Sequence, residues 1–336
     1  MLPMGLSAQT LVSTAPQLRK GLLEEFTAIN CGVCPQGHAV ADGLLSANPG
    51  QLIVVAVHGG GLAVPSGSQP DFRTTWGTAI WSHFGVNAQP LGLMNRTPYN
   101  GQLVMGRTSW PGALAAQLAL PAPVNIGAAT QFDPATRMLT VQVETYRTAA
   151  GSGGNDRLHV LLTESGITGY QQDYQNGAQP NYTHQHVLRA SISPLWGDEL
   201  TANAQGALEQ HGYTFTVPMD WNIAQCQVVV FVSEYQGEVY NAVEVPANGF
   251  STGLQASAHD HGPLPYPQPA SDRLYLGGVA ASAPVPWAIH DLNGRLLVAG
   301  IAVANGDRLA IDISTLPQGM YALRLPDRAF RVLVTR

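Results

Sequence analysis

Residues 20–61, "KGLLEEFTAINCGVCPQGHAVADGLLSANPGQLIVVAVHGGG", restrict the fold more than any other stretch of the chain. Two apolar runs flank a segment that places Val40, Leu44 and Leu45 on one helical face, which predicts strand, helix, strand. A helix between two strands is the usual crossover of a βαβ unit, so the strands are expected to pair in parallel. Cys31 and Cys34 fall where that helix begins. Unpaired backbone N–H groups and the positive end of the helix dipole stabilise a thiolate there. The pair therefore reads either as a redox couple, Cys31 attacking and Cys34 resolving, or as a disulfide staple without turnover. Three cysteines cannot build a four-thiolate zinc site, and no spaced histidine pair completes a mixed one, so no metal is expected. No cofactor is implied by either reading.

Downstream, "DFRTTWGTAIWSHF" (71–84) and "WPGALAAQLAL" (110–120) read as helices, the second opened by Pro111 where a missing N–H costs nothing. From Pro121 to Pro246 seven alternating apolar segments separated by turn signals predict an antiparallel β-sandwich. A Gly/Pro/Ser-rich stretch at 251–270 is the best linker, and beyond it the Asn293–Gly294 pair marks a hairpin in a second small β unit. The expected organisation is multidomain. Residues 1–15 form a signal remnant or disordered start, 16–120 an α/β domain, 121–250 an all-β sandwich and 271–336 a small all-β domain.

A formal charge of -6 with one lysine, Lys20, leaves no basic patch for a phosphate backbone, so nucleic acid is excluded as a partner. No apolar stretch reaches the ~18–20 residues of a membrane-spanning helix. Low charge (11%) with 36 Gly and 24 Pro fits an exported, surface-exposed β-rich protein, and "LPMGLSA" before Gln9 resembles the tail of a signal sequence. Ser251 in "GFSTG", with Asp260 and His261 following and "HGGG" at 58–61, imitates a hydrolase. The strand and helix that a nucleophile elbow needs are missing around it. His184 and His186, two apart on an expected strand, read as a polar strand face. His259 and His261 read as solvated linker residues. His38 lies one helical turn after Cys34, where it either tunes the thiol or caps the surface. Cys226 reads as a buried small hydrophobe. Trp196, Trp221 and Tyr235 are core, rim or a ligand surface.

Leu22 to Cys34 resembles the active-site region of the thioredoxin superfamily, a buried strand bearing a carboxylate followed by a dithiol at a helix start. The resemblance implies that Glu25, six residues before Cys31, is the buried acid that moves the resolving thiol's proton. The aromatic, Gly, aliphatic, Pro spacing of "FGVNAQP" implies that Pro90 is the cis-proline that aligns a substrate backbone. Departures are Glu for the usual Asp, "PQGH" after Cys34 and Asn30 in place of a shielding aromatic. "LLEEFTAINCGVCPQGH" followed by a sandwich with "THQHVLRASISPLWGD" is similar to the twenty-eight-kilodalton outer membrane protein family of Bacteroidetes. That family implies a thioredoxin-like domain joined to an immunoglobulin-like sandwich. Residues 271–336 resemble a type A sorting domain of the type IX secretion system through Asp291, Gly294, Leu316, Gly319 and Tyr321. Together these imply an exported, outer-membrane or surface protein that engages the type IX machinery through residues 271–336. Cys31, Cys34, Glu25 and Pro90 would act on protein thiols or disulfides. The alternative is a surface binding or adhesion protein that grips a ligand on the sandwich, its disulfide structural.

Overall fold

The computed structural model describes residues 11–151, 155–249, 265–267, 270–276, 285–290, 296–304, 308–325 and 329–335. Ser251, His259, Asp260, His261, Asp291, Asn293 and Gly294 lie outside them, as do residues 1–10 and most of the stretch 251–270. The chain divides into two compact units, Thr10–Gly253 and a C-terminal one that begins at Leu254.

In the first unit β1 (Gly21–Thr27), α1 (Cys34–Ala47) and β2 (Leu52–His58) form the expected crossover, and β1 and β2 pair in parallel from Gly21↔Leu52 to Thr27↔His58. Pro35 sits in the first turn of α1. The helix α2 (Thr75–His83) is shorter than the predicted 71–84 because the Thr74 side chain accepts from the Gly77 N–H and caps it there. β3 (Leu91–Met94), antiparallel to β1, pairs with β4 (Met105–Gly106), and α3 (Trp110–Leu118) follows.

Then come β5 (Val124–Asp133), β6 (Met138–Arg147), β7 (Asp156–Glu164), β8 (Ile167–Gln171), β9 (Gln179–His184), β10 (Val187–Ser191), β11 (Asp198–Glu199), β12 (Leu208–Thr216), β13 (Cys226–Glu234) and β14 (Val239–Pro246). Strands β12, β6 and β5 make one antiparallel sheet. The strands facing it are not a sheet of their own. β10 lies parallel to β2, with Val187 opposite Ala56, so a single sheet runs β14-β13-β7-β10-β2-β1-β3-β4.

Side-chain alternation gives that sheet two buried faces. Leu158, Val160 and Leu162 of β7, with Val228, Val230 and Val232 of β13, pack with Val141 and Val143 of the three-stranded sheet. Leu161, Val229 and Phe231 share a second core with Phe26, Val55, Trp76 and Ile80. Strands buried on both sides read as continuous apolar runs, as "QVVVFV" does. On β1 the residues beside Glu25 divide the same way. Glu24 faces the α2 side and forms a buried two-pronged ion pair with Arg96 (2.7 and 2.8 Å), while Leu23 belongs to the α1 and α3 core. Asn95, at φ 49, ties the sheet's two halves: its Oδ1 accepts from Leu22 N–H at 2.9 Å and its carbonyl accepts from Val239 N–H at 2.8 Å.

The C-terminal unit pairs β15 (Arg273–Leu276) with β18 (Leu309–Asp312). It stacks a second sheet in the order β17 (Leu296–Ala302), β16 (Val285–His290), β19 (Gly319–Arg324), β20 (Ala329–Val334). Its core holds Leu274, Ile289, Ile311, Leu323 and Val332. Leu316 and Tyr321 are buried in it, and the Tyr321 hydroxyl donates to the Pro317 carbonyl at 2.7 Å.

Candidate dithiol site

Cys31 and Cys34 are joined as a disulfide. Cys34 opens α1, and Cys31 sits in the turn before it, its carbonyl accepting from Cys34 N–H. The Cys31 Sγ lies 3.8 Å from the carbonyl oxygen of Gln89, whose peptide bond to Pro90 is cis. Gly37 follows Cys34 by three residues, on the same helix face. A Cβ built on Gly37 would stand 2.7 Å from Glu25 Oε1 and 2.7 Å from Pro90 Cβ, so only glycine lets the three groups meet there. The structure thus gathers Cys31, Cys34, Glu25 and Pro90 into one small region. Burial, and secondarily the charge of Asp42, pushes the Glu25 carboxyl up to about 8.

The sulfurs are covered: Cys31 is 2% exposed and Cys34 0%. The loop that carries them is held by a strap from the end of β8 that sequence analysis missed, because "ITGYQ" is too short to announce a strand. Gln172 N–H donates to Ile29 O at 2.7 Å and Tyr174 N–H to Gly32 O at 2.8 Å. The Gln171 side-chain amide donates to the carbonyls of Ala28 and Cys31. The Tyr174 ring lies so close over Gly32 that a Cβ there would fall 2.1 Å from it, yet Tyr174 remains 75% exposed.

On the opposite side of Glu25 lies a cavity of about 230 Å³ between α1, β2 and the end of β9. His38 Nε2 contacts Thr27 Oγ1 at 2.8 Å and its Nδ1 the Tyr182 hydroxyl at 2.7 Å. Burial brings His38 down to about 4, so it is neutral at pH 7 and supplies no positive charge to a thiolate. His184 and His186 both line the cavity, but not as a shared strand face: β9 ends at His184, and His186 turns the chain at φ 54. His58, the first residue of the "HGGG" stretch, is buried 4.9 Å from the Phe72 ring, and Gly59 is glycine because Trp81 packs directly on it. His58 and Gly59 are therefore packing residues, while Gly60 and Gly61 are exposed. Among the described residues no three His, Cys, Asp or Glu side chains are gathered to hold a metal ion. Cys226 is a buried free thiol.

Residues 78–249 match the family described as outer membrane protein Omp28. The chain belongs to the Omp28 family. Residues 265–333 of this Omp28-family chain match the secretion system C-terminal sorting domain. HBP35 of Porphyromonas gingivalis is similar in structure over 95% of this chain and 99% of its own, at 19% identity and a TM-score of 0.56, which shows a shared fold. A domain of the outer membrane lipoprotein Omp28 from Porphyromonas gingivalis aligns with 38% of this chain and 89% of its own at 24% identity, with a TM-score of 0.27. No curated protein matches the chain. Family and sorting domain make this an exported protein of the outer membrane or cell surface. Among the described residues no helix is long and apolar enough to cross a membrane.

Three outcomes are expected from this geometry. Tyr174→Ala should speed reduction of the Cys31–Cys34 bond by a bulky phosphine about tenfold by loosening the local cover; an unchanged rate, read by thiol labelling, would show that the ring does not limit access. Stability should peak near pH 6.5. The folded chain withholds protons from His38, His184 and His186, each brought down to about 4, so stability rises with pH up to the histidine range. Glu25 at about 8 and Glu244 at about 7 hold protons that the unfolded chain releases above about 4.5, so stability falls from there towards pH 8. Below pH 6.5 the histidines outweigh the two acids. Glu25→Gln should stabilise the protein by on the order of 3 kcal/mol at pH 8 and by little at pH 4. Calorimetry across pH 4–9 reads both, and a melting midpoint still climbing at pH 8 would contradict the assignment.

Proposed function

We propose that this Omp28-family protein is a surface thiol-disulfide oxidoreductase built on a thioredoxin-like arrangement of β1, α1, β2, β3, β4 and α3, coupled to an immunoglobulin-like sandwich. One observation carries the reading: a buried acid and Pro90 meet at Gly37, one helical turn after Cys34, while the Gln89 carbonyl lies against the Cys31 sulfur.

In the oxidised state a substrate thiolate attacks Cys31 Sγ. The Cys31–Cys34 bond breaks, a mixed disulfide forms on Cys31, and Cys34 leaves as a thiolate that takes the proton of Glu25. With its carboxyl near 8, Glu25 carries that proton at neutral pH. A second substrate thiolate then attacks the substrate sulfur of the mixed disulfide and releases Cys31. Two electrons have passed from substrate dithiol to protein, and a second disulfide, of small-molecule or protein origin, takes them back. Pro90 and the Gln89 carbonyl align the incoming backbone. No further cofactor enters.

The second reading is a binding or adhesion protein with an inert staple, and the closed cover over Cys31 favours it. Its ligand surface would be the sandwich, where Tyr235 is exposed and Arg157 lies over its ring at 5.2 Å. In both readings residues 271–336 engage the type IX secretion machinery.

The discriminating assay is refolding of a scrambled disulfide protein, or insulin reduction, by wild type and Cys31→Ser. Wild type should turn over and the variant should lose at least about a hundredfold; equal rates leave the binding reading. Deleting 271–336 should retain the product in the periplasm, as fractionation would show, and normal surface delivery without those residues would count against their sorting role.

A further inference from the structure

Thiol-disulfide exchange at this site has a proton problem. Each time Cys34 leaves as a thiolate and is protonated, Glu25 becomes a carboxylate in the protein interior and must recover a proton from solvent. On the sulfur side both cysteines are buried, and Gln171–Tyr174 are bonded to the loop that carries Cys31. Glu25 Oε1 has no hydrogen-bond partner among the described residues, although buried polar atoms are nearly always paired by protein or water.

The cavity behind α1 meets this need. Glu25 lines it as a buried group, and Asp42, exposed on the solvent side of α1, lines it too. It has room for several waters. His184 faces it with an Nδ1 that has no partner among the described residues, while its Nε2 is fixed on the Tyr170 carbonyl at 3.2 Å.

We propose that this cavity is the proton passage of the dithiol site: Glu25 exchanges its proton with solvent through water held there, Asp42 collects protons at the mouth, and Tyr182 and His184 form the outer wall.

The inference rests on the dithiol-exchange chemistry, and it assigns to the β9 arm a part in chemistry done at the other end of the first unit's sequence. The titratable groups facing Glu25 across the cavity are His38 and Asp42 from α1, His58 from β2, and Tyr182, His184 and His186 from β9 and its turn. Among the described residues no lysine or arginine lines it. Burial keeps the imidazoles uncharged at neutral pH, His38, His184 and His186 near 4 and His58 well below its ordinary value. Neutral imidazoles each offer one donor and one acceptor, which suits proton transfer along water without a fixed positive charge to oppose it. Tyr182 holds His38 against Thr27 and so keeps the passage in shape. Asp42 and Tyr182 are positioning residues acting through Glu25.

The test uses the full-length oxidised protein and dithiothreitol, a dithiol that reduces the disulfide whether or not the protein is an enzyme in the cell. Stopped-flow rates are taken across pH 5–9 in dilute and concentrated imidazole buffer. Asp42→Ala is expected to slow reduction about tenfold in dilute buffer, to move the Glu25 limb of the pH profile down, and to regain the wild-type rate as imidazole is raised. Asp42→Glu should retain the wild-type rate, and Tyr182→Phe, which removes one hydroxyl, should show a smaller slowing with the same buffer rescue. Rates for Asp42→Ala and Tyr182→Phe within twofold of wild type, independent of buffer concentration, overturn the passage. So does slowing that imidazole does not relieve. Lack of turnover on protein substrates overturns the oxidoreductase reading alone, because the dithiothreitol rates do not depend on it.

Discussion

The pairing of β10 with β2 is the contact on which the rest of the first unit depends. Ala56 N–H donates to the His186 carbonyl at 2.8 Å, and Val187 stands opposite Ala56. This short parallel junction turns two sets of strands into one sheet. Strand pairing fixes register to one residue in two, so it also decides which side chains before Val187 face α1. Tyr182, His184 and the strap at 171–174 reach the dithiol region because β8 and β9 lead directly into that junction. Asn95 repeats the linkage at the far side of β1, bonding Leu22 and Val239 together.

A second constraint is electrostatic. β1 carries adjacent carboxylates on opposite faces, and the fold treats them differently. Glu24 is neutralised by Arg96, which lies over the rings of Trp76, Phe84 and Phe231. Among the described residues no cation pairs with Glu25, and burial pushes its carboxyl up to about 8. One strand thus carries a buried ion pair on one face and a buried carboxyl with a raised pKa on the other, by alternation alone.

Much of this was written in local patterns. The crossover from β1 to β2 was legible because a largely apolar segment and a fully apolar one flank a helix with Val40 and Leu44 on one face. Glu25 and Pro90 were named through a resemblance, since nothing in their own spacing brings residue 90 to residue 31. The merged sheet was not legible: β7 and β13 look the same whether α2 or a second sheet covers their other face. The strap was invisible because its hold on the dithiol loop is made by backbone groups of Gln172 and Tyr174, which any sequence possesses, and by one glutamine side chain, Gln171, with no motif around it. His184 and His186 were read as one strand face, and the left-handed turn at His186 removed the premise while leaving the two side chains around one cavity.

Cys226 gives the odd cysteine count a quiet outcome. Its sulfur donates to the Asn222 carbonyl at 3.3 Å in the core between the sheets, and burial pushes its thiol up to about 12. Burial leaves the Cys226 sulfur out of reach of other molecules and holds it as the unreactive thiol. Burial between the sheets thereby keeps Cys226 out of exchange with the Cys31–Cys34 pair and with the thiols of neighbouring molecules.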